Sequence, residues 1–283
     1  ACNVLSVFKL EGGPFDGRSV LREYVTYCSP LIFHSILGFS YEFADRWLLQ
    51  NFGGSKQQGL YEVGFRFGMI SLLIAASLLN IFWKEIAEAK EKENQELMQK
   101  LYRKASRLLL WLGAVLAGFL IPWSEEIIRL ILGPSYAEGY LVFAVMLLVS
   151  AFGSLAQING SMLLATGKTK AHFAFGSIFM GLSLPCSYFI LASKDAYLPG
   201  LQMGSLGLAV KMLVFVILHV NVVSWWISRS HGWKFDWTYQ VIALGGALGL
   251  GWLSYEFVEI LSSFLSDSLF FKGGLMLLLY CVF

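Results

Sequence analysis

Long runs of apolar residues, separated by short polar stretches, dominate the pattern along this chain. Each run approaches the roughly 20 residues that a helix needs to cross about 30 Å of hydrocarbon. Eight spans are predicted, and no alternating strand pattern competes with them. They cover residues 24–43, 60–83, 107–122, 139–165, 171–193, 205–227, 238–260 and 269–283. The predicted fold class is therefore all-α, a polytopic transmembrane helical bundle of about eight spans.

Composition and charge placement agree with this pattern. The chain is 57% hydrophobic and only 14% charged, with a mean hydropathy of +0.63, which excludes an ordinary soluble domain. Most Lys and Arg residues in the loops fall on one side of the alternating spans, including Arg22, Lys168 and Lys170. The positive-inside rule predicts that this side is cytoplasmic.

Two connections are predicted to be helical. Residues 84–107 combine strong helix formers with Glu-to-Lys pairs four apart, which indicates a cytoplasmic helix joining the second and third spans. On the outer side, residues 124–139 resemble a short interfacial helix. Ser124 is the predicted N-cap, and Gly133 with Pro134 is the predicted end.

The motifs that would indicate an enzyme are incomplete in this sequence. "ATGKTK" (165–170) lacks the earlier glycine of a phosphate loop, because that position is Met162, and no strand precedes it. The four histidines show no metal-ligand spacing, and no nucleophile or acidic pair stands out. We expect no catalysis, no cofactor and no metal, and no nucleic acid among the partners.

Charged residues inside the spans are the strongest candidates for function. Arg66 and Lys211 each lie about six residues inside a span that begins on the outer side, so they share one depth. Asp45 and Arg46 mark the outer end of the first span, and Glu62 precedes Arg66 by one helical turn. Because an ionised side chain in lipid costs roughly 2.5–3.5 kcal/mol on insertion scales, these residues should face water or a partner.

Two interpretations of these charges remain open. Glu62 and Arg66 can neutralise each other, and both Arg66 and Lys211 are shallow enough for the side chain to reach the interface. Alternatively, the cations line a water-filled cavity that receives an anionic headgroup such as a phosphate. Deeper polar residues could line the same path or form hydrogen bonds between helices. These are His34, Gln157, Asn159, His219 and Asn221.

Residues 27–68 resemble the start of the C-terminal half of the polysaccharide flippases. The resemblance is carried by Pro30 in the first span, the Asp45–Arg46 pair and Gly59-x-Tyr61 opening the next span. Further along, "LGPSYAEG" (132–139) and "LLATGKTK" (163–170) are similar to two later elements of that family. These O-antigen and exopolysaccharide exporters belong to the multidrug/oligosaccharidyl-lipid/polysaccharide exporter superfamily, which also contains the MATE drug exporters.

The resemblance implies a domain organisation. In the family, two six-helix lobes surround a central cavity, often followed by an extra helix pair. Residues 1–22 would be a linker from a missing N-terminal lobe, residues 23–230 the six-helix C-terminal lobe, and residues 231–283 a truncated extra pair. The chain begins without Met and stops within an apolar run, so we expect a piece of a longer protein. One lobe alone is not expected to transport.

The implied function is export by alternating access of an undecaprenyl-pyrophosphate-linked oligosaccharide across the bacterial inner membrane. H⁺ or Na⁺ is a possible coupling ion, and the partners would be the lipid-linked sugar, membrane lipids and the missing lobe. Asp45 and Arg46 carry over by motif, whereas Arg66, Lys211 and Glu62 are proposed from position. The alternatives are a drug or cation exporter, an O-antigen polymerase or membrane glycosyltransferase, and a scaffold protein without transport.

Overall fold

The computed structural model of this chain describes residues 17–265 and 269–282. Every regular element in those residues is helical, which confirms the predicted all-α class. The helices are α1 (Gly17–Glu91), α2 (Gln95–Leu120), α3 (Ser124–Leu132), α4 (Tyr140–Ala165), α5 (Thr169–Leu191), α6 (Gly204–Ser230), α7 (Trp237–Leu265) and α8 (Leu269–Val282). A 3₁₀ helix, Pro134–Gly139, links α3 to α4.

Four of these helices are long and apolar enough to cross a membrane within the described residues. They are α4 with its 3₁₀ lead-in, α5, α6 and α7, and they match predicted spans four to seven. A fifth is added if α2 and α3, which meet at 73°, form one broken span. Predicted spans one and two lie in α1 and span eight lies in α8, so the count of eight spans stays a prediction.

Helix α1 folds back on itself at Gly54. That residue has φ 76°, a left-handed conformation that glycine adopts without steric cost. In a straight helix Arg46 and Glu62 would lie about 24 Å apart. Their side chains are instead 3.3 Å apart, so the two halves are antiparallel neighbours. We call residues 17–53 α1a and residues 55–91 α1b.

The connections between spans differ in part from the predictions. The single connecting helix expected over residues 84–107 is wrong, because the helix breaks there: α1b continues to Glu91 and α2 begins at Gln95. Asn94 makes the break by accepting a hydrogen bond from the backbone N–H of Leu97 at 2.9 Å. On the outer side α3 ends at Gly133 as expected. Ser124 is not its N-cap, because it lies inside the first turn and Trp123 precedes it.

Helix α4 lies at the centre of the bundle and packs against α1, α2 and α6. Its side chains Ile158 and Met162 are fully buried in a cluster with α1b, α2 and α6. Helix α7 packs on α2, and α8 packs on α7. The domain limits 23–230 and 231–283 stay a prediction. Residues 1–16 of the predicted linker 1–22 lie outside the described residues, whereas residues 17–22 belong to α1.

Candidate functional site

The first cluster of predicted site residues joins α1a, α5 and α6 around Lys211. Its ammonium nitrogen lies 2.6 Å from Asp45 Oδ2 and within hydrogen-bond distance of the hydroxyls of Ser187 at 2.9 Å, Tyr41 at 3.0 Å and Ser183 at 3.1 Å. The side chains of Lys211 and Asp45 are 1% and 4% exposed. Ser187 donates to the second oxygen of Asp45. This charge pair is therefore buried, neutralised and hydrogen-bonded on both sides.

The second cluster lies at the turn between α1a and α1b. Glu62 accepts from Arg46 at 3.3 Å and from Arg66, one turn along its own helix, at 3.0 Å. Arg46 also pairs with Glu42 at 3.3 Å and lies over the ring of Phe65. The Arg66 side chain is 76% exposed, whereas those of Arg46 and Glu62 are about one-third exposed. Arg66 is thus the most accessible cation in this cluster.

The two cations of matched predicted depth lie in different surroundings. Lys211 is inside the bundle with its own carboxylate, and Arg66 projects from α1b with a shared one. The expectation that both face one vestibule therefore does not describe their geometry, because Lys211 is enclosed between α1a and α5. A substrate-binding role for Arg66, Lys211, Asp45, Arg46 and Glu62 stays a prediction.

A groove of about 420 Å³ runs between α1a, α1b, α4, α5 and α6. His34, His172 and His219 line it, each from a different helix, and we call it the histidine groove. The rings of His34 and His172 are 4.8 Å apart, and His219 meets the ring of Phe179 edge-on. Nδ1 of His34 is buried and has no hydrogen-bond partner within the described residues. Two of these histidines, His34 and His219, were candidates from sequence.

The other candidate lining residues lie elsewhere. Asn159 is buried between α2 and α6, where it bonds the hydroxyls of Tyr102 at 2.7 Å and Ser224 at 2.9 Å. Asn221 donates to the Ile217 carbonyl of its own helix at 2.8 Å. Neither they nor Gln157, on α4, contribute to the wall of the histidine groove. The alternative of hydrogen bonds between helices describes Asn159, whereas the bond of Asn221 stays within α6.

A second pocket, of about 720 Å³, lies at the predicted cytoplasmic end between the start of α1 and the α4–α5 turn. Arg22, Lys168 and Lys170 line it, and we call it the basic pocket. The turn is a Schellman cap: Gly167 has φ 74°, and the backbone N–H groups of Lys168 and Gly167 donate to Leu163 and Leu164. "ATGKTK" is therefore a helix C-cap that positions two lysines.

No carboxylate among the described residues forms an ion pair with Arg22, Lys168 or Lys170. Burial and, second, the charge of nearby Lys90 lower the pKa of Lys168. The Lys168 ammonium lies over the ring of Trp226, 5.0 Å from its centre. An anion in the basic pocket would offset this repulsion and favour the charged form of Lys168.

The basic pocket and the histidine groove follow the same face of α1a. Tyr27 lines the basic pocket, and His34 and Tyr41 line the groove at successive intervals of seven residues. Seven residues make two turns, about 10 Å of rise, so these side chains share one face. His172 and the basic pocket were missed from sequence. The seven-residue spacing of Tyr27, His34 and Tyr41 was a signal for a shared face of α1a. No local pattern in the sequence shows that this face packs against α5.

This chain is similar in sequence and in fold to known proteins. The MatE family model matches residues 30–189, more than half of the chain. The capsular polysaccharide biosynthesis protein CapF of Staphylococcus aureus is 25% identical over 177 residues, which cover 60% of this chain and 43% of that relative. The lipid II flippase MurJ, in an inward closed conformation, aligns with a TM-score of 0.68 at 14% identity. This alignment covers 95% of this chain and 55% of MurJ.

The chain therefore spans about half the length of these relatives. At its low identity, the likeness to MurJ shows a shared fold. The family match contains most of the helices that build the groove, from residue 30 in α1 to residue 189 in α5. Together with the apolar helices, these matches identify a membrane protein. The chain belongs to the MatE family, within the multidrug/oligosaccharidyl-lipid/polysaccharide exporter superfamily.

Proposed function

We propose that this chain is one lobe of a transporter that flips a lipid-linked oligosaccharide from the inner to the outer leaflet of the bacterial inner membrane. Its substrate would be an undecaprenyl-pyrophosphate-linked sugar, used for polysaccharide biosynthesis. The relatives support the class of substrate, since one is named for capsular polysaccharide biosynthesis and the other for lipid II flipping. A second lobe of the same transporter, absent from this chain, would complete the cavity.

The basic pocket is the observation that carries this proposal. Cations are common at the cytoplasmic side of membrane proteins, so their number alone indicates nothing more than orientation. Here, however, Arg22 and two lysines from a separate turn converge on one cavity, and no carboxylate of the described residues forms an ion pair with them. A diphosphate offers several acceptor oxygens to such a set, with Arg as a fork and Lys as point charges. A cationic drug would be repelled from the same entrance.

The geometry also supports a direction of passage. An anionic headgroup entering at the basic pocket would next meet the histidine groove along α1a. It would then reach the outer end of the bundle, where Arg46 and Arg66 lie. The lipid tail would stay in the bilayer throughout. The protein would contribute binding and conformational change, and no bond in the substrate would be made or broken.

Reversing charge in the basic pocket tests this proposal. The double variant Arg22→Glu/Lys170→Glu, made in the full-length transporter, should abolish surface polysaccharide in a host that lacks the native gene. The lipid-linked intermediate should accumulate at the inner leaflet. Lys92→Glu is the matched control, since Lys92 is an exposed lysine at the same end and outside the pocket. It should leave export unchanged at equal protein levels.

The same strains separate the competing classes. Normal surface polysaccharide in the double variant, with equal protein in the membrane, would contradict the proposal that the basic pocket is the entrance for the substrate. Efflux of a cationic dye by the wild-type transporter, without any effect on surface polysaccharide when its gene is deleted, would favour a drug exporter. If deletion of the gene changes the chain length of the polysaccharide but leaves flipping of the lipid-linked sugar normal, a polymerase would be favoured. Each outcome is scored in whole cells by surface staining, dye fluorescence and extraction of lipid-linked sugars.

A further inference from the structure

The histidine groove has a charge pattern of its own. Its wall contains three imidazoles, from α1a, α5 and α6, and one carboxylate, that of Glu42. Glu42 lies 3.3 Å from the guanidinium of Arg46, so its charge is already shared. Among the described side chains of α1b and α4, none that lines the groove is acidic or basic. The three histidines are therefore the side chains of the groove whose charge can change near neutral pH.

The other polar side chains of the wall already have hydrogen-bond or ion-pair partners; they are Tyr41, Glu42, Ser150 and Ser183. Tyr41 and Ser183 both contact Lys211, whose charge is balanced by Asp45. By contrast, Nδ1 of His34 is buried without a partner among the described residues. A buried polar atom without a partner is destabilising unless something binds it. Among the described residues that line the groove, the buried side-chain atom without a partner is therefore Nδ1 of His34.

The chain makes specific room for this arrangement. A Cβ atom placed on Gly176 of α5 would lie 2.2 Å from Cε1 of His34, closer than any real contact. Only glycine lets the His34 ring reach across from α1a and come within 4.8 Å of the His172 ring. Among the described residues, no group of three or more His, Cys, Asp or Glu side chains is arranged to hold a metal ion.

Three neighbouring imidazoles have the chemistry to bind an anion and protons together. A doubly protonated imidazole has two donors and one positive charge, and in a bundle interior it needs an anion beside it. A phosphate group needs donors and positive charge in the same place. Each therefore favours the binding of the other, and by linkage the effect is equal in both directions.

We propose that His34, His172 and His219 form a binding site for the phosphate groups of the transported lipid, at which anion binding is coupled to proton uptake. The inference rests on the proposed function, because it names where the diphosphate of that substrate is held. Proton uptake would offset part of the phosphate charge while the headgroup lies in the groove, and the protons would be released when the anion leaves.

Binding of inorganic pyrophosphate and of sulfate to the purified full-length transporter tests the site. Calorimetry at about pH 5.5 and about pH 8 brackets the usual histidine pKa. Sulfate keeps a fixed charge over this range, so any pH dependence in its binding comes from the protein. We expect both anions to bind about tenfold or more tightly at the lower pH, since one linked proton gives up to tenfold per pH unit. Buffers of different ionisation enthalpy should report net proton uptake with sulfate.

Glutamine variants locate the effect. His34→Gln and His172→Gln keep a hydrogen-bonding side chain but cannot be protonated, so each should reduce proton uptake and flatten the pH dependence. Gly176→Ala should act like them, because it displaces the His34 ring. His231→Gln is the matched control, since His231 lies after α6 and outside the groove. It should leave binding and its pH dependence unchanged.

The outcomes distinguish this inference from the function on which it rests. Sulfate binding without pH dependence in the wild type would overturn it, and so would unchanged proton uptake in the His34→Gln and His172→Gln variants. If polysaccharide export in cells is normal in either case, the proposed function stands and only the histidine site fails. If deletion of the transporter gene leaves export intact, the proposed function itself fails. The pH dependence of sulfate binding is measured on the wild-type transporter, so this test does not depend on the folding of any variant.

Discussion

Asp45 and Arg46 are adjacent in sequence yet belong to two charge clusters with opposite surroundings. Asp45 faces α5 and α6, where it pairs with Lys211 in a fully enclosed network. Arg46, about 100° further round the helix, faces α1b and pairs with the partly exposed Glu62. One cluster is closed and the other is open. This difference in burial predicts that changes in the first cluster affect stability, and it leaves the second cluster accessible to a ligand.

The energetics of the two clusters differ for a physical reason. Charges removed from water interact strongly but cannot be separated without a large penalty, so a broken buried pair is costly. Charges that remain hydrated interact weakly, and many exposed pairs contribute about 0–1 kcal/mol. We therefore expect variants of the enclosed cluster to change stability and variants of the exposed cluster to change export. The following predictions test that division.

The largest effect is expected from Lys211→Met. It leaves the Asp45 carboxylate buried without its cation, which should lower the free energy of unfolding by about 3–5 kcal/mol. Thermal unfolding of the full-length transporter in detergent measures the change. The double variant Lys211→Met/Asp45→Asn removes both charges and should recover most of the loss. Equal instability of the single and double variants would mean that the ion pair is not the reason.

An intermediate effect, on transport only, is expected from Arg66→Ala. The lost guanidinium should lower export about tenfold, the size expected for one hydrogen bond to a charged group. Stability should change by less than about 1 kcal/mol, because the Arg66 side chain is 76% exposed. Arg66→Lys should retain part of the export. Surface polysaccharide normalised to protein level is the measurement.

Arg129→Ala is the matched control for Arg66→Ala. Arg129 is also an exposed cation at the outer end, and it pairs with a glutamate one turn earlier, Glu125, at 2.6 Å. It should leave both export and stability near the wild-type values. Normal export in Arg66→Ala, at equal protein levels, would remove Arg66 from the site and leave it as a snorkelling side chain.

The smallest effect is expected from Glu62→Gln. This change removes the shared charge between Arg46 and Arg66 but keeps a hydrogen-bonding side chain. Stability should fall by less than about 1 kcal/mol, because both partners remain partly hydrated. Thermal unfolding beside Glu125→Gln, a similar exposed pair, measures it. A loss as large as that of Lys211→Met would mean that the two clusters do not differ.

Much of the fold could be predicted because hydrophobic run length is a local property. The spans in α4 to α7 follow from counting apolar residues, and the family resemblance was carried by short motifs such as Asp45–Arg46. The interfacial helix ended at Gly133 as expected. The break at Asn94 was missed, since strong helix formers continue on both sides of it and a single side-chain cap divides the helices.

Part of the candidate site could also be predicted from local sequence, and part of it could not. His34 and His219 were selected for their depth, and both line the groove, but their contribution to binding stays a prediction. His172 was missed because it stands near the start of a span, where a polar residue is unremarkable. Only the crossing of α5 with α1a brings it beside His34. Contacts between residues 138 positions apart leave no pattern in a single sequence.

The sequence by itself determined the all-helical class from composition and the family from short motifs, and it predicted the depth of each charge from its position along one helix. The tertiary structure alone decided which way each charge faces. Lys211 and Arg66 sit at one predicted depth, yet α5 and α1a enclose the first and leave the second exposed. Rotation about a helix axis is set by neighbouring helices, so the surroundings of a charge are fixed only when the bundle packs.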